Sequence, residues 1–181
     1  MSELSESLHF WRVSAPKVRQ MVEAVGAPGW IIAESERWTS FVSLEEHEHE
    51  QLAETVSAIT LHWAYAEDFC LVLTVREGDT LLGECELAWS KVPGETAPVP
   101  MRSEQLDRLV EMGIFVDDPA QLETLASAVI AGEARPEQLR DLAAQLLGLP
   151  AYEWLSPSYC ADLGLAKLRE RYATADEIES A

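Results

Sequence analysis

Between Ile59 and Trp89 the chain alternates apolar and polar residues through three consecutive runs, and this pattern restricts the fold more than any other feature of the sequence. Ile59, Leu61, Trp63 and Tyr65 alternate with Thr60, His62 and Ala64. Phe69, Leu71, Leu73 and Val75 alternate with Cys70, Val72, Thr74 and Arg76. Gly83, Cys85, Leu87 and Trp89 alternate with Leu82, Glu84, Glu86 and Ala88. A period of two marks half-buried β-strands. The breaks at Glu67-Asp68 and Gly78-Asp79 are hairpin-short, so the strands pair antiparallel.

The register of the second hairpin follows from burial. A two-residue loop at Gly78-Asp79 would set Leu73 opposite Glu84 and Leu71 opposite Glu86. A three-residue loop, Gly78 to Thr80, sets Leu73 opposite Cys85, Leu71 opposite Leu87 and Phe69 opposite Trp89. A one-residue slip turns every side chain to the other face, so burial selects the second arrangement. It leaves Thr74, Arg76, Glu84 and Glu86 on the other face, and it places Cys70 and Cys85 on opposite sides.

Upstream, a helix is expected from Ser14, with Pro16 in its first turn, to Gly26. Short strands follow at Trp30–Ala33 and Trp38–Val42. Ser43 and Glu46 form a capping box for a second helix reaching Val56. No element is assigned ahead of Ser14, where Met1 to Phe10 is acidic and interrupted by Ser5, Ser7 and His9. Lys91 to Pro100 (KVPGETAPVP) reads as a linker. Helices are expected after it: from Ser103 to Gly113, from Asp118 as N-cap to Gly132, from Pro136 to Gly148, and from Asp162 to Tyr172. Tyr152 to Tyr159 (YEWLSPSY) reads as an irregular packed piece. The expected fold class is α+β: an N-terminal α-β-β-α-β-β-β unit with a mostly antiparallel sheet, then a helical C-terminal half. The expected divisions are a sheet domain at 1–90, a linker at 91–101 and a helical region at 102–181, packed on or beside the sheet.

Charge narrows the partners. The 181 residues carry a net charge of −19. The excess is spread along the chain, with a net charge of −11 over residues 1–100 and −8 over residues 101–181. Such a surface repels phosphate backbones and acidic membranes and attracts basic proteins. No apolar run approaches the roughly 18 residues needed to span a bilayer. The N-terminus lacks the pattern of a signal peptide. Three cysteines, Cys70, Cys85 and Cys160, show neither CxxC nor framework spacing, which fits a reducing compartment. The sequence has no Asn, and ten Arg against three Lys. The expected setting is therefore bacterial cytoplasm.

Three groups of residues invite a functional reading. His47-Glu48-His49-Glu50 offers metal-ligand chemistry, but residues two apart on a helix diverge and no HExxH is present. It reads as a solvated helix face, and no metal or cofactor is assigned. The polar sheet face brings together His62, Thr74, Arg76, Glu84 and Glu86, an acid–base set if a cleft encloses it. Phe10 and Trp11 stand out in a polar N-terminus, as a binding anchor or as a staple onto the domain. No catalytic residue is assigned, and the sequence contains no P-loop, GxGxxG or GxSxG.

The leading expectation is a protein-binding module, specifically an immunity protein that neutralises a basic toxin, docking through Glu45, Glu46, Glu48, Glu50 and Glu54 of the second helix. The alternatives are an acidic secretion chaperone or adaptor, and a small enzyme using the sheet face around His62, Glu84 and Glu86. A DNA mimic ranks below these.

Overall fold

The computed structural model describes residues 4–44, 48–89 and 103–179. Its elements are β1 (Leu4–Trp11), α1 (Ala15–Ala24), β2 (Gly29–Glu34), β3 (Trp38–Ser43), α2 (Glu48–Thr55), β4 (Ile59–Ala66), β5 (Cys70–Glu77), β6 (Thr80–Ala88), α3 (Ser103–Glu111), α4 (Ala120–Ile130), α5 (Pro136–Leu147), α6 (Pro157–Arg171) and β7 (Asp176–Ile178). The protein is α+β, with one antiparallel sheet in the order β6-β5-β4-β1-β3-β2-β7. Among the described residues, no helix is long and apolar enough to cross a membrane. The expected linker, 91–101, lies outside the described residues.

Two strands come as additions to the sequence reading. β1, from the segment left unassigned, lies in the middle of the sheet between β4 and β3, and every residue from Ser5 to Trp11 is buried. β7, at the far end of the chain, closes the edge beside β2. The β5–β6 hairpin keeps the expected pairs Leu73↔Cys85 and Leu71↔Leu87, but reaches them differently. Glu77 pairs with Thr80, so the loop holds only two residues, and an irregularity between Val75 and Arg76 leaves Leu82 as the extra residue of β6. Such a bulge restores the parity that burial demands while keeping the turn tight. Gly78 supplies the positive φ, +58°, that this turn requires.

The sheet is covered on both sides. On one face, Leu8, Phe10, Ile31 and Phe41 pack against Val18 and Val22 of α1 and against Leu52 and Ala53 of α2. On the other, Trp38, Leu61, Trp63 and Leu73 share a core with Leu109, Leu122, Leu139 and Leu146 of α3, α4 and α5. Beside it, Trp30, Ile32 and Val42 meet Leu155, Cys160 and Leu168. The helical half therefore packs on the sheet and shares its core. α6 begins earlier than its sequence suggests: Ser156 caps it by accepting from the Tyr159 N–H, with Pro157 at its first position, and Gly164 interrupts it with φ +73°. Cys160 is fully buried there, and burial pushes its thiol up to about 12 against a backbone hydrogen bond at Ser156.

Phe10 and Trp11 point to opposite faces, and both are buried. Trp11 packs 4.8 Å from the Trp38 ring, with the Arg12 and Arg37 guanidinium groups 4.9 and 4.8 Å from its own. The staple describes it, not the anchor. Arg37 donates to the Gly113 and Ile114 carbonyls at 2.7 and 2.8 Å, just past the end of α3. The Trp38 indole donates to the Leu147 carbonyl at the end of α5, at 2.7 Å. These polar bonds fix where the helical layer sits on a core that is otherwise non-directional. Replacing Trp38 by Phe keeps most of the ring and removes the buried donor. Urea unfolding should register a loss of about 1–3 kcal/mol with an unchanged m-value; a variant as stable as the parent would show that this bond does not anchor the layer.

Candidate functional site

The sheet face under α2 is only half covered. Pairing across the strands aligns two rows on it: Glu86–Val72–Ala64–Glu6 and Glu84–Thr74–His62–Leu8. At the β1 end of these rows α2 packs over Leu8 through Leu52 and Ala53. At the β6 end Glu84 and Glu86 are exposed, with half-buried Ala64, Ala66, Cys70 and Val72 between. Glu50 and Glu54, one turn apart on α2, are 62% and 47% exposed. They share Arg76 of β5 at 3.5 and 3.4 Å. Exposed pairs of this kind add little stability. Glu50 and Glu54 add exposed carboxylates on α2, beside Arg76, to those of Glu84 and Glu86 on β6.

Of the five α2 residues expected to form a docking face, Glu50 and Glu54 are placed here, exposed and beside Arg76. Glu45 and Glu46 lie outside the described residues, as does the proposed cap at Glu46, and the Glu48 side chain is likewise not described. His49 departs from the reading of a solvated helix face: it is fully buried. Apolar residues at Leu52, Ala53 and Val56 turn α2 so that the neighbouring position one turn earlier also points inward.

His49 meets Ser43, six positions back, and Glu6 and His62, which are farther away in sequence. Its Nε2 accepts the Ser43 backbone N–H at 3.0 Å. Its Nδ1 lies 3.5 Å from Glu6 Oε1, at the outer limit of hydrogen bonding, and makes no well-formed hydrogen bond. The same Glu6 oxygen is 2.8 Å from His62 Nε2. The two imidazoles lie nearly parallel, 9° apart in plane, with centroids 6.0 Å apart. The Glu6 and His62 side chains retain 10% and 16% exposure. Burial by itself raises the Glu6 carboxyl, but its interactions with the His49 and His62 imidazoles outweigh it and hold the group well below the carboxylate range. The three donor atoms lie within 4.8 Å of one another.

His62, Glu84 and Glu86 do share one face, as the alternation implied. The structure pairs His62 with Glu6, whereas Glu84 is two strands away with Thr74 between them. The sequence reading missed Glu6 because it assigned no strand to residues 4–11. The signal was present: Leu4, Glu6, Leu8 and Phe10 alternate with Ser5, Ser7, His9 and Trp11, but polar residues occur in both sets.

A second polar group lies on the opposite face of β1. His9 is fully buried, with Nε2 2.9 Å from the Ser7 hydroxyl and Nδ1 2.8 Å from the Ser40 hydroxyl. One ring nitrogen donates and the other accepts, so the neutral imidazole is satisfied without solvent. Burial, reinforced by repulsion from His49 and His62, lowers the His9 pKa to about 3.

No family model, curated protein or solved structure matches the chain.

The His9 environment has a pH consequence. Folded His9 refuses a proton that the unfolded chain accepts near 6.5, so the stability it contributes is complete above that value and is lost as pH falls from 6.5 toward 3. His9→Gln should lower stability at pH 7 and flatten the fall between pH 6.5 and 4 in urea unfolding. An unchanged pH slope in the variant would contradict a neutral, buried His9.

Proposed function

We propose that this chain is a binding module for a basic protein, and that the partner docks on the open strip between α2 and β6. One observation carries the reading: exposed Glu84 and Glu86 flank half-buried small apolar residues of the sheet, and the exposed carboxylates of Glu50 and Glu54 on α2 stand beside Arg76 of β5. An apolar floor with a charged rim is the general form of a protein interface. The chain's net charge of −19 adds long-range attraction for a cationic partner and repulsion for nucleic acid. Glu45, Glu46 and Glu48 add acidic charge next to Glu50 in sequence. Within this class the reading is an immunity protein in bacterial cytoplasm that neutralises a basic toxin, because such a task needs a complementary surface and no catalytic set.

An adaptor or secretion chaperone is the second reading. It is favoured by a separate feature, a cleft of about 390 Å³ lined by Leu106, Val110, Phe115, Val116 and Pro119 together with Asp107, Asp117 and Asp118, where Val110 and Val116 are 46% and 52% exposed. The adaptor reading calls for a dimer, so a clean monomer by light scattering would count against it.

The direct test is calorimetric titration of the purified chain with the proteins encoded beside its gene. One basic product should bind, more weakly as salt rises. Glu84→Lys together with Glu86→Lys should slow association at low salt by about tenfold or more. Failure of every neighbouring product to bind, or binding indifferent to both reversals, would refute the reading.

A further inference from the structure

The cluster at Glu6, His49 and His62 is separate from the docking strip's exposed rim, and docking makes no use of it. We propose that it is a binding site for a divalent first-row metal ion, Zn²⁺ foremost, held by one carboxylate oxygen and two imidazole nitrogens.

Geometry is the first argument. A tetrahedral Zn²⁺ with bonds of about 2.0–2.2 Å separates its ligand atoms by roughly 3.3–3.6 Å. The Glu6 Oε1–His49 Nδ1 separation is already 3.5 Å. The Glu6–His62 contact, 2.8 Å, needs to open by only about half an ångström to match. The three donor atoms fall within 4.8 Å of each other.

Chemistry is the second argument. Two imidazoles and one carboxylate form a donor set suited to Zn²⁺ and related borderline ions, with a further position left for water. The 16% exposure of His62 marks the side from which ion and water enter.

The third argument is the state of His49. Its Nδ1 is a fully buried polar atom with no hydrogen-bond partner, and it faces the Glu6 carboxylate. Buried polar atoms are satisfied as a rule, so an orphan aimed at a carboxylate and a second imidazole calls for a ligand.

Binding carries a specific consequence. Without metal, Nε2 of His49 accepts the Ser43 N–H, so the ring proton sits on Nδ1. Ligation through Nδ1 moves that proton to Nε2, where it faces the Ser43 N–H and breaks the bond. Metal affinity is therefore reduced by the lost hydrogen bond, and loading changes the tautomer of one named histidine. Because the ligands come from β1, β4 and α2, a bound ion also ties α2 to the sheet.

The test uses the full chain, stripped with a chelator and titrated with Zn²⁺ by calorimetry and with Co²⁺ by visible absorption. The expected result is about one ion per chain, an absorption band of four-coordinate Co²⁺, and a melting temperature that rises with excess Zn²⁺. His62→Ala and Glu6→Gln should each weaken binding by about tenfold or more. His62 is partly exposed, so its variant serves if loss of Glu6 prevents folding. Nitrogen-15 NMR should show the His49 proton on Nδ1 without metal and on Nε2 with it. No binding, binding unaltered by His62→Ala, or a His49 tautomer unchanged on loading would each overturn the proposal. No basic partner enters the experiment, so its failure leaves the docking reading standing.

Discussion

The whole arrangement depends on β1 being held between β4 and β3 although its side chains are mixed in character. Leu8 and Phe10 bring apolar area to the α2 face, and burying such side chains is worth about 1.5–3 kcal/mol each. Glu6, Ser7 and His9 come with them because the strand is continuous. A polar group left without partners in such a place would cancel that gain. Here the partners come from neighbouring elements: Ser40 of β3 for His9, and His62 of β4 for Glu6. The pairing register of β1 with β3 and β4 is therefore specified twice, by apolar contacts and by hydrogen bonds that fit only one alignment.

The two faces of the sheet take different roles as a result. One is sealed by α3, α4 and α5, and oriented by Arg37 and Trp38 reaching the ends of α3 and α5. The other is sealed only where α1 and α2 lie, leaving the β5–β6 side with its carboxylates in solvent. The buried cluster at Glu6 sits where the closed part meets the open part. Both the docking reading and the metal reading draw on that boundary, one on its exposed rim and the other on its buried end.

Much of this was legible in the amino-acid sequence. In residues 59–89 one face of β4, β5 and β6 meets the helical core and the other is partly wet, so most faces and the pairs Leu73↔Cys85 and Leu71↔Leu87 could be read directly. The two-residue loop with its bulge, the burial of Leu82 and the exposure of Phe69 could not. Helix starts at Pro136 and at Asp118, whose carboxylate accepts the Ala120 N–H, carried ordinary capping chemistry. β1 was not legible by the same rule, because a central strand buried on both faces loses alternation, and its polar residues mimic a solvated arm. β7 is three residues long and is defined only by its pairing with β2. The site divides in the same way. His62, Glu84 and Glu86 were placed on one face by periodicity, whereas Glu6 reaches His49 and His62 across 43 and 56 positions and His49 stacks on His62 from another element, which no local pattern encodes.

Native-state hydrogen exchange read residue by residue tests the central position of β1 most directly. With β1 paired on both sides, the amides from Leu8 to Phe10 should exchange only through global unfolding, as slowly as those of Leu61 and Trp63. Rapid exchange of that segment, while β4 and β5 stay protected, would show an N-terminal arm in place of a central strand. Both buried clusters, and the sites built on them, would go with it.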